Sequence, residues 1–416
     1  MPRRTSLEAP LVIVMVGLPA RGKTYTAQRL ERFLVWRGYK ARVFNVGNTR
    51  RELFGAQVPH SFFDVDNPEG YAARRKAARS TLEQLLDWCE EGGQVAIYDA
   101  TNTTKRRRAW VKEACEAQGL QVLWFEIVCN DPDLIDTNIR ASKLSNPDYA
   151  GLEPDDAVAD FRARIAHYED VYETVEDHEG SHIRMHDLGK RIELGDIHGY
   201  LPGKLVSLAM NLHTVPRPIF LSRHGQSEDN RRELLGGDSP ITDKGRVYAA
   251  QLASWFQDRE LGEIQVWTST LQRTLQTAAP LRPQPISVKA LDEIDAGVCE
   301  GMTYAEIEET MPDAFKARRN DKLRYRYPQG ESYEDVIERL EPVLFELERQ
   351  QEPVLVVAHQ AVLRALYAYF SNQPRETTPY ISIPLHTLIQ LTPRAYGCDE
   401  SRFVLGPEVG HGGNSA

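Results

Sequence analysis

Two short stretches carry residues whose types and spacing suit phosphate chemistry. In GLPARGKT, Gly17 to Thr24, two glycines bracket four residues and are followed by a lysine and a hydroxyl. Gly17 and Gly22 let a loop turn tightly so that successive backbone N–H groups face one anion, and a helix opening there adds the positive end of its dipole. That spacing puts Lys23 within reach of the β- and γ-phosphates of a nucleotide and Thr24 on a Mg²⁺ ion. The alternative, a glycine turn that opens a helix for packing alone, is weakened by the position of the loop directly after the apolar run LVIVMV. Such a site calls for an acid at the end of a neighbouring strand. Asp99 closes QVAIYDA, where a carboxylate could hold the water shell of Mg²⁺ or take a proton from an acceptor hydroxyl, although a strand-end Asp alone can equally serve a turn or a helix cap. Arg50, Arg74, Arg107, Lys143 and Arg164 are cations that could face a phosphorylated acceptor; each by itself is equally a solvated surface charge.

The second stretch is PIFLSRHGQS, in which Arg223 and His224 follow an apolar run. A neutral imidazole can attack phosphorus and carry the phosphoryl group if cations neutralise the equatorial oxygens and an acid protonates the departing alcohol. Arg273, just past VWTST, has a fork suited to the same phosphate. His359 ends VLVVAH and is a second histidine for the cluster, and Glu293 in LDEIDAG is the best-placed acid. Two histidines could instead hold a metal, but few carboxylates accompany them at ligand spacing.

These residues need elements to hold them at strand ends. Apolar runs alternate with amphipathic stretches in both halves, the pattern of α/β folds with a parallel sheet covered by helices. In the first half the strands fall on LVIVMVG, ARVFNVG (41–47), QVAIYDA (94–100) and LQVLWFEIVC (120–129), with helices over 24–38, 69–89, KRRRAWVKEACEAQG and 155–175. From about Thr174 to Pro218 the pattern reads as irregular, and TVPRP makes a short junction. The second half restarts with PIFLSRHG, a helix over 244–256, a strand over 264–270, part of a helix at 274–279, the strand PVLVVAHQ and a helix over 361–370. Two domains are therefore expected, 1–215 and 216–416.

At 416 residues either half can bury its own core. The net charge of −10 argues against wholesale binding to nucleic acid or an anionic membrane, despite local basic clusters at Lys105–Arg108 and Arg324–Arg326. Five dispersed cysteines with no CxxC pair suggest neither disulfides nor a zinc knuckle, and a reducing cytoplasm fits them. Arg3 and Arg4 before an apolar run imitate a secretory signal, yet that run leads into a glycine turn and no stretch approaches ~20 apolar residues, so neither a signal nor a membrane span is expected.

The strings GLPARGKTY, DATNTT, CNDP, SNPDY, RHG, EIDAGVCEGMTYAEI, RYRYPQGESYEDV and HQAVLRALYAYF occur in this order along nearly the whole chain. On them the chain resembles the bifunctional 6-phosphofructo-2-kinase/fructose-2,6-bisphosphatase family, with a P-loop kinase half followed by a histidine-phosphatase half similar to phosphoglycerate mutase. The resemblance implies that Gly17, Leu18, Pro19, Ala20, Arg21, Gly22, Lys23, Thr24 and Tyr25 hold the phosphates of ATP, with Asp99 as the key acid and Mg²⁺ on Thr24 and Asp99. It places Cys129 at that active site, although a buried strand-end thiol is an equal reading. It implies that Arg50, Arg74, Thr101, Arg107, Lys143, Arg164 and Tyr168 hold fructose 6-phosphate. In the second half it makes His224 the phosphohistidine and Glu293 the proton donor, with Arg223, Asn230, Arg273 and His359 around the transferred phosphate. Gly236, Tyr304, Arg318, Lys322, Tyr333, Gln360 and Arg364 would grip the rest of fructose 2,6-bisphosphate. A homodimer through the kinase half is also implied.

Position 226 departs from the family's usual R-H-G-E-S, because Gln226 removes a negative charge near the nucleophile. The short segments before the first strand and after the last make control by terminal phosphorylation doubtful. Two other readings stay open: one half could be inactive and serve as a sugar-phosphate sensor, or both chemistries could act on a different acceptor.

Overall fold

A computed structural model describes residues 10–64, 66–143, 147–149, 153–213, 216–394 and 397–409, without the side chains of 141–143, 154 and 188. The chain divides into two compact units, Met1–His213 and Thr214–Ala416.

The front unit is built on strands Leu11–Val16 (β1), Ala41–Asn45 (β2), Val95–Asp99 (β3), Gln121–Val128 (β4), His182–His186 (β5) and Arg191–Gly195 (β6). Their order across the sheet is β2-β3-β1-β4-β5-β6, parallel except for β6, which runs antiparallel to β5. LVIVMV is wholly buried because β1 has strands on both edges and helices over both faces, which is why it reads as a continuous apolar run. Helix Lys23–Arg37 starts at Gly22, whose φ is 91°, and stops at Gly38, whose φ is 96° and whose N–H bonds the carbonyl of Val35.

Three expectations need correction here. The described residues of 174–218 are not irregular: they contain β5, β6 and helix Tyr200–Ala209. HIRMH and RIELG lack continuous apolar runs because β5 alternates, burying Ile183 and Met185 while Arg184 pairs with a buried carboxylate, and β6 is only partly covered. Glu126 of β4 is fully buried and accepts from Arg184 Nε at 2.5 Å, from Thr174 and from the backbone of Val175. The sheet is accordingly mixed at that edge and not purely parallel. ARVFNVG is a strand only to Asn45; Asn45 then caps helix Val46–Phe54, its Oδ1 accepting from the N–H of Asn48 at 2.9 Å.

The rear unit has strands Ile219–Arg223 (β7), Gln265–Thr268 (β8), Ile286–Ser287 (β9), Val354–Ala358 (β10), Thr387–Arg394 (β11) and Gly397–Val404 (β12), ordered β12-β11-β7-β10-β8-β9. β7, β10, β8 and β9 are parallel, while β11 pairs antiparallel with β7 and with β12. This antiparallel hairpin also departs from the expected sheet; most of GCDESRFV is solvent-facing, so its sequence carries no strand-like apolar run. Because β7, β8 and β10 point the same way, the residues that follow them meet along one edge of the sheet. In the front unit β1, β2, β3 and β4 do the same for Gly17, Asn45, Asp99 and Cys129.

Candidate active sites

At the front edge, Gly17 has φ 136°, and a Cβ there would lie 2.4 Å from the carbonyl oxygen of Ile127, so the loop can leave β1 only as glycine. Ala20 also lies in the left-handed region, at φ 59°. The loop is held from outside by Asn138 Nδ2, which donates to Ala20 O at 3.1 Å, and by the Gly17 N–H, which donates to Thr101 O at 2.9 Å. Lys23 folds back, its Nζ donating to Leu18 O at 2.6 Å. Burial lowers its pKa to about 8 against the opposing pull of Asp99. Thr24 Oγ1 and Asn45 Nδ2 both donate to Asp99 Oδ2, at 2.7 and 2.5 Å, and burial raises the pKa of that carboxyl. Arg21 leans away, towards Glu169 and Pro19 O, and the Tyr25 hydroxyl donates to His213 O at 2.6 Å. Cys129 is buried at the end of β4, and burial pushes its thiol pKa up, so it is no ready thiolate.

A basic pocket lies beyond this loop. Arg50, Arg51 and Arg164 share the single carboxylate of Asp148, at 2.5, 3.5 and 3.6 Å. Phe63 lies under the Arg164 guanidinium, 3.6 Å from its ring centre, and packs on Tyr168. Arg74 is tied to the same segment through the carbonyls of Phe62 and Asp64, at 3.0 Å each. Three arginines against one carboxylate leave a formal surplus of positive charge, which suits a phosphate ester. Arg50, Arg74, Arg164 and Tyr168 are thus brought together. Arg107 instead donates to Tyr98 OH at 2.7 Å and stacks on Trp110, while Thr101 stands beside Gly17. The side chain of Lys143 lies outside the described residues.

The rear site is centred on buried side chains. His224 and His359 are almost fully buried with ring centres 5.1 Å apart, and Arg273 Nε donates to His224 Nε2 and to His359 Nδ1, each at 3.2 Å. His224 Nδ1 donates to Gly225 O at 2.8 Å, a carbonyl that can only accept, which leaves the lone pair on Nε2. Burial, then Arg273 and Arg223, holds the His224 pKa well below the ordinary histidine value; His359 is lowered in the same direction, again by burial first. Ser269 Oγ bonds His359 Nε2 at 2.7 Å. Arg223 is part-buried, with its pKa lowered to about 10 chiefly by desolvation, and it donates to Ile383 O at 3.1 Å. The Glu293 carboxylate accepts from the backbone N–H groups of Ile294, Gln360 and Ala361 at 3.0–3.1 Å, which seats it at the start of helix Gln360–Phe370.

Around this centre, Gly236 has φ 65° and lies in the turn whose next residue, Gly237, offers its carbonyl to Arg273 Nη1 at 2.6 Å. Asn230 closes a capping box with Ser227. Farther out, Arg318 donates to Tyr304 OH at 2.7 Å and to Tyr327 OH at 3.0 Å, and Arg364 donates to Tyr333 OH at 3.0 Å. Lys322, only 6% exposed, has its pKa lowered to about 7 by burial and then by Arg318 and Arg364. Three cations in one buried place, with the phenols of Tyr304, Tyr327 and Tyr333 and the Ile381 carbonyl as partners, form a second anion pocket.

The sequence reading missed Asn45, Phe63, Ser269 and His386, and reached Asp148 only inside the string SNPDY. Strand-end logic could have found Asn45 and Ser269, which follow the same pattern as Asp99 and His359. No local signal marks Phe63 or His386. Among the described residues no group of three or more His, Cys, Asp or Glu is placed to hold a metal, and no helix is long and apolar enough to cross a membrane.

Comparison with known proteins bears on both units. The family model for 6-phosphofructo-2-kinase matches residues 3–216 and that for the histidine phosphatase superfamily (branch 1) matches residues 219–404. A 6-phosphofructo-2-kinase/fructose-2,6-bisphosphatase of Arabidopsis thaliana is 49% identical over 95% of this chain; the match spans only 54% of that longer protein. Its counterpart in Gallus gallus is 46% identical over 96% of this chain and 86% of its own, and form 4 of Homo sapiens is 46% identical over 95% and 85%. With a kinase unit and a histidine-phosphatase unit matched in the same order as in these relatives, the chain belongs to the 6-phosphofructo-2-kinase/fructose-2,6-bisphosphatase family.

Proposed function

We propose that the front unit transfers the γ-phosphoryl group of ATP to O2 of fructose 6-phosphate and that the rear unit removes it again, releasing fructose 6-phosphate and phosphate through a phosphohistidine at His224. The observation that carries this reading is the Arg273 guanidinium donating to two buried imidazoles in a chain that also carries the Lys23–Thr24–Asp99 constellation.

In the rear unit, the Nε2 lone pair of His224 attacks phosphorus. Arg223, Arg273 and His359 surround the equatorial oxygens, and Glu293 gives a proton to the departing O2; Asn230 and the Gly236 turn help enclose the group. The pocket of Arg318, Lys322, Arg364, Tyr304, Tyr333 and Gln360 takes the phosphate that stays on the sugar. In the front unit, Gly17 to Tyr25 would wrap the nucleotide phosphates, with Lys23 released from Leu18 O as the anion arrives. Asp99 is placed to take the acceptor's proton, and Arg50, Arg74, Arg164 and Tyr168, with Arg107, Thr101 and Lys143, would hold the sugar phosphate. A hydroxyl and a carboxylate within 2.7 Å of one another are hard oxygen donors that suit Mg²⁺, and Thr24 and Asp99 would hold it. When bound, Mg²⁺ neutralises charge on the phosphate oxygens. A homodimer and a reducing cytoplasmic setting complete the proposal; all five cysteines are free.

The test is direct. Incubation with ATP and fructose 6-phosphate is expected to yield an acid-labile phosphate ester, and that ester labelled at its 2-phosphate is expected to label His224. No ester and no label would sink the reading.

A further inference from the structure

His386 belongs to neither the sequence motifs nor the roles assigned above, yet it sits against the nucleophile's turn. It lies just before β11, only 2% exposed and in the left-handed region at φ 56°. Its ring is stacked on Tyr248, with centres 4.8 Å apart and an interplanar angle of 13°. Nδ1 donates to Pro407 O at 2.9 Å, since a carbonyl can only accept. That bond sets the tautomer and leaves the Nε2 lone pair to accept the backbone N–H of Gln226 at 3.1 Å.

The N–H of Gln226 and the C=O of Gly225 belong to one rigid peptide group. On its other side this group accepts Nδ1–H of His224 at 2.8 Å. Resting on the phosphohistidine reading, we propose that His386 is a positioning residue for the nucleophile. It fixes the Gly225–Gln226 peptide plane, whose carbonyl in turn holds His224 in the tautomer and rotation that aim Nε2 at phosphorus. The chain of bonds runs from Pro407 O through the His386 ring and one peptide group to the His224 ring. It does the orienting work that a carboxylate does for histidine in other enzymes, with no added charge in a buried site.

The neighbouring bonds leave this role to His386. The Gly225 N–H donates to Thr277 Oγ1 at 2.8 Å and the His224 N–H donates to Ala358 O at 3.0 Å, so those contacts fix the preceding peptide groups. Gln226 O and Oε1 are both engaged by Thr242, at 2.8 and 3.0 Å, which secures the following one. Burial first, then Arg223 and Lys244, lowers the His386 pKa against the opposing pull of the Pro407 carbonyl, so the ring stays an acceptor at neutral pH. A doubly protonated ring would turn a donor towards the Gln226 N–H.

The experiment uses the full chain and bisphosphate labelled at the 2-phosphate, quenched on the millisecond scale. His386→Phe keeps the ring stacked on Tyr248 and loses the acceptor; His386→Gln offers an amide oxygen where Nε2 stood. The expected result is phosphohistidine formation slowed about 10- to 100-fold in His386→Phe with KM within about twofold, and most of the rate restored in His386→Gln. A thermal melt of the full chain serves as the folding control for the rear unit, ATP-dependent kinase turnover is expected to be unchanged in both variants, and His386→Met replaces the Phe variant if that one does not fold. Labelling at the unmodified rate in the Phe variant, or equal slowing in the Gln variant, overturns the proposal while leaving the phosphohistidine reading intact. Absence of label on His224 in the unmodified protein removes that reading, and this inference with it.

Discussion

The two sites of this chain receive phosphate by different means. In the front unit the receptor is backbone: a loop of six residues, Gly17 to Gly22, between β1 and helix Lys23–Arg37, with Lys23 at the head of that helix turned back onto Leu18 O. In the rear unit the receptor is made of charged side chains drawn from residues 223 to 364, and it stands ready with Arg273 already bonded to both imidazoles. A backbone site can be contiguous because N–H groups repeat with every residue. A guanidinium–imidazole site needs several long side chains converging from separate elements, and their mutual repulsion is tolerated only because the surrounding fold holds them.

The sharpest test of that comparison is to remove one nucleating residue from each site. His224→Ala is expected to lower bisphosphate hydrolysis by roughly 10³-fold or more and spare ATP-dependent synthesis, with Lys23→Ala giving the converse. Assays of both reactions in both variants check it, and loss of both activities from either change would abolish the distinction. Next, Arg273→Ala should cost about 10²–10³-fold in phosphohistidine formation, because one guanidinium faces both rings and the transferred phosphate. Rapid quench of labelled substrate measures this.

Gly17→Ala probes the backbone side of the comparison. Its Cβ would meet Ile127 O, an atom of β4 that cannot swing away, so nucleotide affinity should fall by about 2–3 kcal/mol together with front-unit stability. Calorimetric titration with ATP and a thermal melt would report the two losses. A smaller effect belongs to pH. Burial lowers the Lys322 pKa to about 7, so raising the pH through that value removes one of the three positive charges of the second anion pocket and leaves those of Arg318 and Arg364. KM for the bisphosphate should then rise severalfold, up to about tenfold, and Lys322→Met should flatten the profile. The least effect is expected from Gln226→Glu. The side chain of Gln226 uses Oε1 to accept from Thr242 at 3.0 Å, a bond a carboxylate also makes, and the link to His386 runs through the backbone. A change in hydrolysis rate beyond about threefold would show that charge at this position matters after all.

What could be read in advance follows the same division. GLPARGKT carries its chemistry locally, and Asp99, His224 and His359 are visible because a polar residue ending a buried apolar strand lies at the edge where parallel sheets do chemistry. The edge elements were not visible. β5 alternates but offers only Ile183 and Met185 as apolar positions, and β12 is mostly solvent-facing, so the apolar period from which strands are read is too short or absent there. Arg107 shows the limit for cations: sequence spacing could not select among Arg50, Arg74, Arg107 and Arg164, and only the fold shows the Arg107 guanidinium against Tyr98 and Trp110.

By itself the sequence determined the two α/β halves, the phosphate loop and the strand-end residues, because periodicity and glycine spacing are properties of neighbours along the chain. Tertiary structure alone decided which carboxylate three arginines share, which ring nitrogen of His224 keeps its lone pair, and that a histidine 162 positions later anchors the nucleophile's turn. Those outcomes depend on hydrogen-bond partners brought together by folding across long loops, and a carbonyl's power to select a tautomer exists only once it is within reach.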